Sequence, residues 1–252
     1  MPFPINFKPK HSYKLIRLGN DCDGGYLVDE ESVMKSKLLI GMGISTDWSF
    51  EKDFLKHQPV LTHCYDHTLT IGFFIMHTIK SFLMIFQGRI KNFFLCLKFL
   101  IDYQLFFQGS VRHFREKIGC DNERAVSINN ALSRASTIDQ ESVFIKMDIE
   151  RSEYRILDEL IYNANSLSGL VIEFHDVDLH TKRISDFINE FPLELIHAHA
   201  NNNWGVGLDN NTQLLELSFS RYSTIISSEP KLPHTLDRIN NPELPEVNLE
   251  FD

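Results

Sequence analysis

The residues best suited to chemistry sit at the ends of two short apolar runs, Val143-Phe-Ile-Lys-Met-Asp-Ile-Glu150 and Gly169-Leu-Val-Ile-Glu-Phe-His-Asp176. Each run ends abruptly in carboxylates or an imidazole, as a buried parallel strand does when it delivers polar groups to the C-terminal edge of an α/β sheet. Ligands of open α/β sheets bind along that edge. Asp148, Glu150, Glu173, His175 and Asp176 are therefore expected to converge on one cleft. Glu153, close behind the first run, is read as favouring the positive N-terminal end of a helix. His197 and His199 share one face of a strand by their spacing of two, and Asn201, Asn202 and Asn203 read as a turn.

A second constellation lies nearer the N-terminus. Lys37-Leu-Leu-Ile-Gly-Met-Gly43 is an apolar strand ending in a glycine turn, and Asp47–Leu55 is an amphipathic helix with Phe50 and Phe54 on one face. Val60-Leu-Thr-His-Cys-Tyr-Asp66 is a second strand that ends in an acid. Gly41 and Gly43 let the backbone approach a ligand, and Asp66 can accept both hydroxyls of a ribose. Thr46 occupies the third glycine position of a pyrophosphate cradle, so the ligand is expected to be a nucleoside without phosphates, such as S-adenosylmethionine.

These groups need a framework to hold them. Further strands are expected at 143–148, 170–175, about 193–199 and 213–219, with helices at 152–163 and 180–191. This alternation predicts a doubly wound, mostly parallel α/β sheet. The last two strands have no helix between them and should form a C-terminal antiparallel hairpin. Residues 13–28 read as strand, turn and strand ahead of the main sheet. Thr70–Ser110 breaks the rhythm, with nine of the 20 phenylalanines and five charges, Lys80, Arg89, Lys91, Lys98 and Asp102. No uncharged run there reaches the roughly 18 residues of a membrane span, so it is expected to be an apolar helical insertion. It could be core, a lid or homodimer interface, or a basic element at a membrane surface. Residues 1–232 are taken as the domain and 233–252 as an extended tail.

Composition narrows the classes of function. A net charge of -9 argues against a nucleic-acid partner. Cys22, Cys64, Cys96 and Cys120 are too widely spaced for a zinc knuckle or a dense disulfide framework, and read as reduced, mostly buried thiols. The first ten residues have no apolar core of a secretory signal, so a cytoplasmic location is expected.

Five blocks in order carry a resemblance: Arg17-Leu-Gly-Asn-Asp-Cys-Asp-Gly-Gly-Tyr26, Gly41-Met-Gly-Ile-Ser-Thr-Asp-Trp-Ser-Phe-Glu51, Ile145-Lys-Met-Asp-Ile-Glu150 with Glu153, Ile172-Glu-Phe-His175 and Ile196-His-Ala-His-Ala-Asn-Asn202. Together they resemble the FkbM-type S-adenosylmethionine-dependent methyltransferases. The resemblance implies a Rossmann-like class I methyltransferase fold, with methyl transfer to a hydroxyl of a saccharide or surface-glycan precursor. It places Gly24, Gly25, Gly41, Gly43 and Asp66 at the cofactor. Asp148, Glu173 and His175 then activate the acceptor as base or as ligands of Mg²⁺ or Mn²⁺, whose preferred oxygen donors they supply. Arg151 stands where the family usually has glycine, and Leu39 and Ser45 depart from the D-x-G-x-G-x-G form of the commonest methyltransferases. A metal-dependent hydrolase using the same carboxylates, and a non-enzymatic interaction module, are the rival classes.

Overall fold

The computed structural model describes residues 2–83, 90–119, 125–135, 140–207 and 211–252. Strands β1 (Ser12–Tyr13), β2 (Leu15–Leu18) and β3 (Tyr26–Asp29) precede a short helix, α1 (Glu30–Met34). The first βαβ unit follows as β4 (Leu38–Met42), α2 (Ser49–His57) and β5 (Leu61–Tyr65). Two helices, α3 (Ile71–Leu83) and α4 (Ile90–Phe106), then lead to β6 (Val111–Phe114), β7 (Lys117–Ile118), β8 (Ala125–Val126) and α5 (Ile128–Ser133). The remainder runs β9 (Val143–Met147), α6 (Leu157–Tyr162), β10 (Leu167–His175), α7 (Val177–Glu190), β11 (Glu194–Val206), β12 (Thr212–Ser220) and β13 (Ile225–Ser227).

Seven of these strands form one sheet in the order β6-β5-β4-β9-β10-β12-β11. The neighbours from β6 to β10 pair in parallel, and β12 runs antiparallel between β10 and β11. Numbered along the chain, the order is 3-2-1-4-5-7-6. β4, β9 and β10 are buried along their whole length, which explains their near-continuous apolar sequence in the centre of a parallel sheet.

Helices α5, α6 and α7 cover one face, where Ile145, Leu170, Ile172, Ile184 and Phe187 share a large core. On the other face the β2–β3 ribbon and α2 pack Leu18, Tyr26, Val28, Phe50 and Phe54 onto Leu39, Phe144 and Val171. The helical spacing of Phe50 and Phe54 puts both rings against Phe144, at 6.2 and 5.2 Å between centroids. The chain beyond β13 returns along the sheet edge: Asn202 Nδ2 donates to the carbonyls of Asn241, Leu244 and Pro245, and Phe251 bridges to Phe3. Among the described residues no helix is long and apolar enough to cross a membrane.

Several elements differ from those read in the sequence. The outermost strand, β6, sits directly after the apolar insertion and was not expected. Its half-exposed sequence lacks the apolar run of an inner strand. The helix expected at 152–163 is a 3-10 turn, Glu153–Arg155, followed by the shorter α6. Asn201–Asn203 lie inside β11, because the partner strand and the C-terminal segment satisfy their polar groups there. Cys64 is buried, whereas Cys22 is exposed and Cys96 half-buried; Cys120 lies outside the described residues. Truncating a well-packed ring should be costly: Phe54→Ala is expected to destabilise the fold by about 3–5 kcal/mol, read as a lower urea midpoint with an unchanged slope.

Candidate active site

The C-terminal ends of β4, β5 and β9 meet at one cavity of about 250 Å³, whose walls include Gly43, Ser45, Asp66, Asp148 and Glu150. Gly43 has φ +73°, and a Cβ there would fall 1.6 Å from the Asp148 carbonyl oxygen. Only glycine permits both the conformation and the approach. The turn is fastened by Gly43 N–H to the Tyr65 carbonyl at 2.9 Å and Asp148 N–H to the Met42 carbonyl at 3.0 Å.

Asp66 ends β5 with its carboxylate held by main chain. Its Oδ2 accepts the Ser45 amide at 2.8 Å, and Oδ1 accepts the Thr68 amide at 2.7 Å and the Thr68 hydroxyl at 2.5 Å. Gly41 does not line the cavity. Its missing side chain makes room for Glu51, whose Oε1 would lie 2.4 Å from a Cβ at position 41. Gly24 and Gly25 also lie apart from the cavity: Gly24 packs on the Asp47 carboxylate, and Gly25 on the Asn20 carbonyl and Arg17. They shape the β2–β3 turn, where Asn20 Nδ2 donates to Asp47 at 2.6 Å.

The structure brings Asp148, Glu173 and His175 together, with one ligand atom from each within 4.8 Å of the others. His175 Nε2 lies 3.4 Å from Glu150, 3.7 Å from Glu173 and 3.8 Å from Asp148. Its Nδ1 is 3.1 Å from Oε1 of Glu153, which is wholly buried. Glu153 also accepts the Ile149 amide at 3.2 Å. It therefore orients the imidazole, where the sequence suggested only a favourable helix end. Burial lowers the His175 pKa, but Glu153, Asp148 and Glu150 outweigh it and hold the value above that of an ordinary histidine.

Two buried charges escaped the sequence reading. Lys146 stands within the apolar run of β9, 3.2 Å from the Gly43 carbonyl and 3.6 Å from Asp148. Burial depresses its pKa, and Asp148, Glu51 and Glu173 more than reverse this, so the ammonium is stabilised. Glu51 is buried beneath Gly41, and its oxygens accept no side-chain hydrogen bond among the described residues. Burial pushes its carboxyl up to about 7 against the pull of Lys146. A lysine inside a continuous strand, and a glutamate between Phe50 and Phe54, are the signals that could have disclosed both.

Further along the same sheet face, Glu173 and Glu216 pair directly across β10 and β12, and His199 lies opposite Glu216 on β11. Asn201 Nδ2 lies 3.0 Å from Asp23 and 3.3 Å from Glu173, and Asn240 Nδ2 donates to Glu216 at 2.8 Å. Burial, followed by Asp148, Glu216 and Asp23, drives the Glu173 pKa well above the usual carboxylate range, which favours a proton on this group. His199 is held by Glu216 at 3.3 Å and His197 by Asp237 at 2.9 Å. Neither joins the His175 cluster.

The loops around His175 are strained. Glu150, Arg151 and Asp176 have φ of +52°, +73° and +51°, values costly for residues other than glycine. Arg151 is bound to Asp176 at 2.5 Å and lies 4.5 Å from the Trp204 ring, which stands edge-on to His175 at 5.4 Å. Asp176 is thus occupied by Arg151 outside the cluster around His175.

The strand order, with one antiparallel strand set between the fifth and the sixth, defines a Rossmann-like class I methyltransferase fold. Solved structures with a similar course include the fibrillarin/Nop5p complex, at 6% identity over 75% of this chain and 74% of that one, TM-score 0.38. The METTL16 methyltransferase domain matches at 9% identity over 77% and 65%, TM-score 0.41. Precorrin-6y C5,15-methyltransferase of Geobacter metallireducens matches at 11% over 76% and 86%, TM-score 0.37. No protein-family profile and no curated protein matches the sequence.

The Glu51 carboxyl gives a test of the site's electrostatics. A pKa raised from 4.5 to about 7 means that the folded state holds a proton which the unfolded chain has released. Stability from this group is full below pH 4.5 and lost as pH rises through about 7. The loss amounts to about 3 kcal/mol at 1.36 kcal/mol per pH unit. Glu51→Gln should flatten that segment of the stability–pH curve, measured by urea unfolding at a series of pH values.

Proposed function

We propose that this protein transfers a methyl group from S-adenosylmethionine to a hydroxyl oxygen of a saccharide or surface-glycan precursor, in the manner of the FkbM-type enzymes its motifs resemble. One observation carries the reading: a single cavity is walled by the Gly43 turn and Asp66 on one side and by Asp148 and Glu150 on the other. Asp66 Oδ2 accepts one amide among the described residues and retains capacity for ribose hydroxyls. Gly43 keeps that wall free of side-chain bulk.

S-adenosylmethionine supplies an electrophilic methyl group on a sulfonium. The protein's part is to make a neutral hydroxyl nucleophilic. With Nδ1 directed to Glu153, His175 offers Nε2 on the side of Asp148 and Glu173, where it takes the acceptor proton as the new C–O bond forms. Asp148 and Glu150 stabilise the resulting imidazolium. The same donor set fits Mg²⁺ or Mn²⁺ held by Asp148, Glu173 and His175, with Glu153 behind the imidazole. Such an ion would lower the pKa of the acceptor hydroxyl directly.

Titration calorimetry with S-adenosylhomocysteine tests the cofactor half: the wild-type protein should bind it, and Asp66→Ala should bind roughly 1–3 kcal/mol more weakly. Failure of the wild type to bind would sink the methyltransferase reading in favour of a hydrolase or an interaction module. For the acceptor half, His175→Ala should lower kcat by ~10²–10⁴-fold while S-adenosylhomocysteine affinity is kept. Wild-type activity should rise with pH through a value above that of an ordinary histidine, because His175 must lose its proton to act. EDTA separates the two modes of activation: loss of turnover restored by Mn²⁺, with Mn²⁺ binding abolished in Asp148→Asn, assigns the metal, and indifference assigns the base.

A further inference from the structure

Helices α3 and α4 form a hairpin that is anchored at its root and bare beyond it. At the root, the Trp48 ring is surrounded by Phe74, Tyr103, Phe106 and Phe107 at 5.4–6.5 Å. Asp102 there accepts the Trp48 indole at 3.0 Å and Lys52 at 2.5 Å. Past the root the two helices pack on each other, with Phe82 against Phe93 at 5.5 Å. α4 buries none of its residues.

The outer turns expose Ile75, Met76, Ile79, Phe82, Ile90 and Phe94, at 41–59% of their surface. Ile75, Ile79 and Phe82 follow one face of α3, and Ile90, Phe94, Ile101 and Leu105 one face of α4. Apolar surface of this extent on a chain with a large buried core marks a docking face. The described hairpin carries Lys80, Lys91 and Lys98, and its acid, Asp102, is engaged at the root by Lys52 and the Trp48 indole, although the chain as a whole is at -9.

We propose that the α3–α4 hairpin docks this protein on a lipid bilayer bearing anionic headgroups, its apolar faces entering the interface and its lysines meeting the phosphates. Charge decides against a second copy as occupant. Pairing two hairpins would set three lysines against three, with Asp102 already engaged at each root, whereas anionic headgroups complement them. Length decides the depth. The 17 residues of α4 span about 25 Å at 1.5 Å per residue, short of the ~30 Å hydrocarbon core, so the hairpin lies in the interface and does not cross. The inference is independent of the methyltransferase reading.

Vesicle flotation with the full chain tests it, using phosphatidylcholine alone or mixed with phosphatidylglycerol. Binding to the mixed vesicles is expected, weakened by salt because the lysine contribution is screened. Replacing Lys80, Lys91 and Lys98 together by Gln should weaken it on the order of 100-fold, at roughly five-fold per lysine. Ile79→Ser with Ile90→Ser and Phe94→Ser should abolish it, while circular dichroism and the thermal midpoint stay as in the wild type because these side chains are exposed. Equal binding to neutral and anionic vesicles would overturn the proposal. So would absence of binding by a folded monomer, or a light-scattering dimer that ignores vesicles.

Discussion

The carbonyl oxygen of Asp148 lies where a side chain at position 43 would begin, and the arrangement of the site depends on that contact. It brings the loop after the first sheet strand against the loop after the fourth, so Gly43 and Asp66 share one cavity with Asp148 and Glu150. Lys146 closes the same joint from below, with its ammonium at the Gly43 carbonyl and near the Asp148 carboxylate. A parallel sheet brings successive strand ends to one edge by topology alone. The absent Cβ sets how closely they meet there.

Behind this joint the sheet face under the β2–β3 ribbon is unusually polar. Glu51, Lys146, Glu173, Glu216 and His199 are all buried there on adjacent elements. Carboxylates outnumber cations there, and protons make up part of the difference: Glu51 and Glu173 both shift upward as burial disfavours their charged forms. The amides of Asn201 and Asn240 share the remaining acceptors among Asp23, Glu173 and Glu216. Asn240 belongs to the segment after β13, so the C-terminal part of the chain completes this network.

The sequence disclosed most where pattern and burial coincide. The apolar runs of β4, β9 and β10, the acids that follow β5, β9 and β10, and the C-terminal antiparallel pair were legible because central strands and sheet-edge ligands impose composition directly. Legibility failed where a residue is set by a partner distant in the chain. Glu153 looks like a helix-end charge until His175 is placed against it, Asn201 looks like a turn until β12 and Asp23 surround it, and Gly24 and Gly25 look like ligand contacts until Asp47 and Arg17 fill the space beside them. The outer strand β6 was hidden because an edge strand need not be uniformly apolar.

The cavity walls carry Asp66, Asp148 and Glu150 against Lys117, while Glu116 is paired with Arg134. Walls of that sign attract a cationic ligand and hold it less firmly once its charge is gone. Under the proposed reaction the donor enters with a positive sulfur and leaves as a neutral thioether. Part of the electrostatic hold on the nucleoside would then vanish with the chemical step itself, so the spent donor would be released more readily than the fresh one is lost.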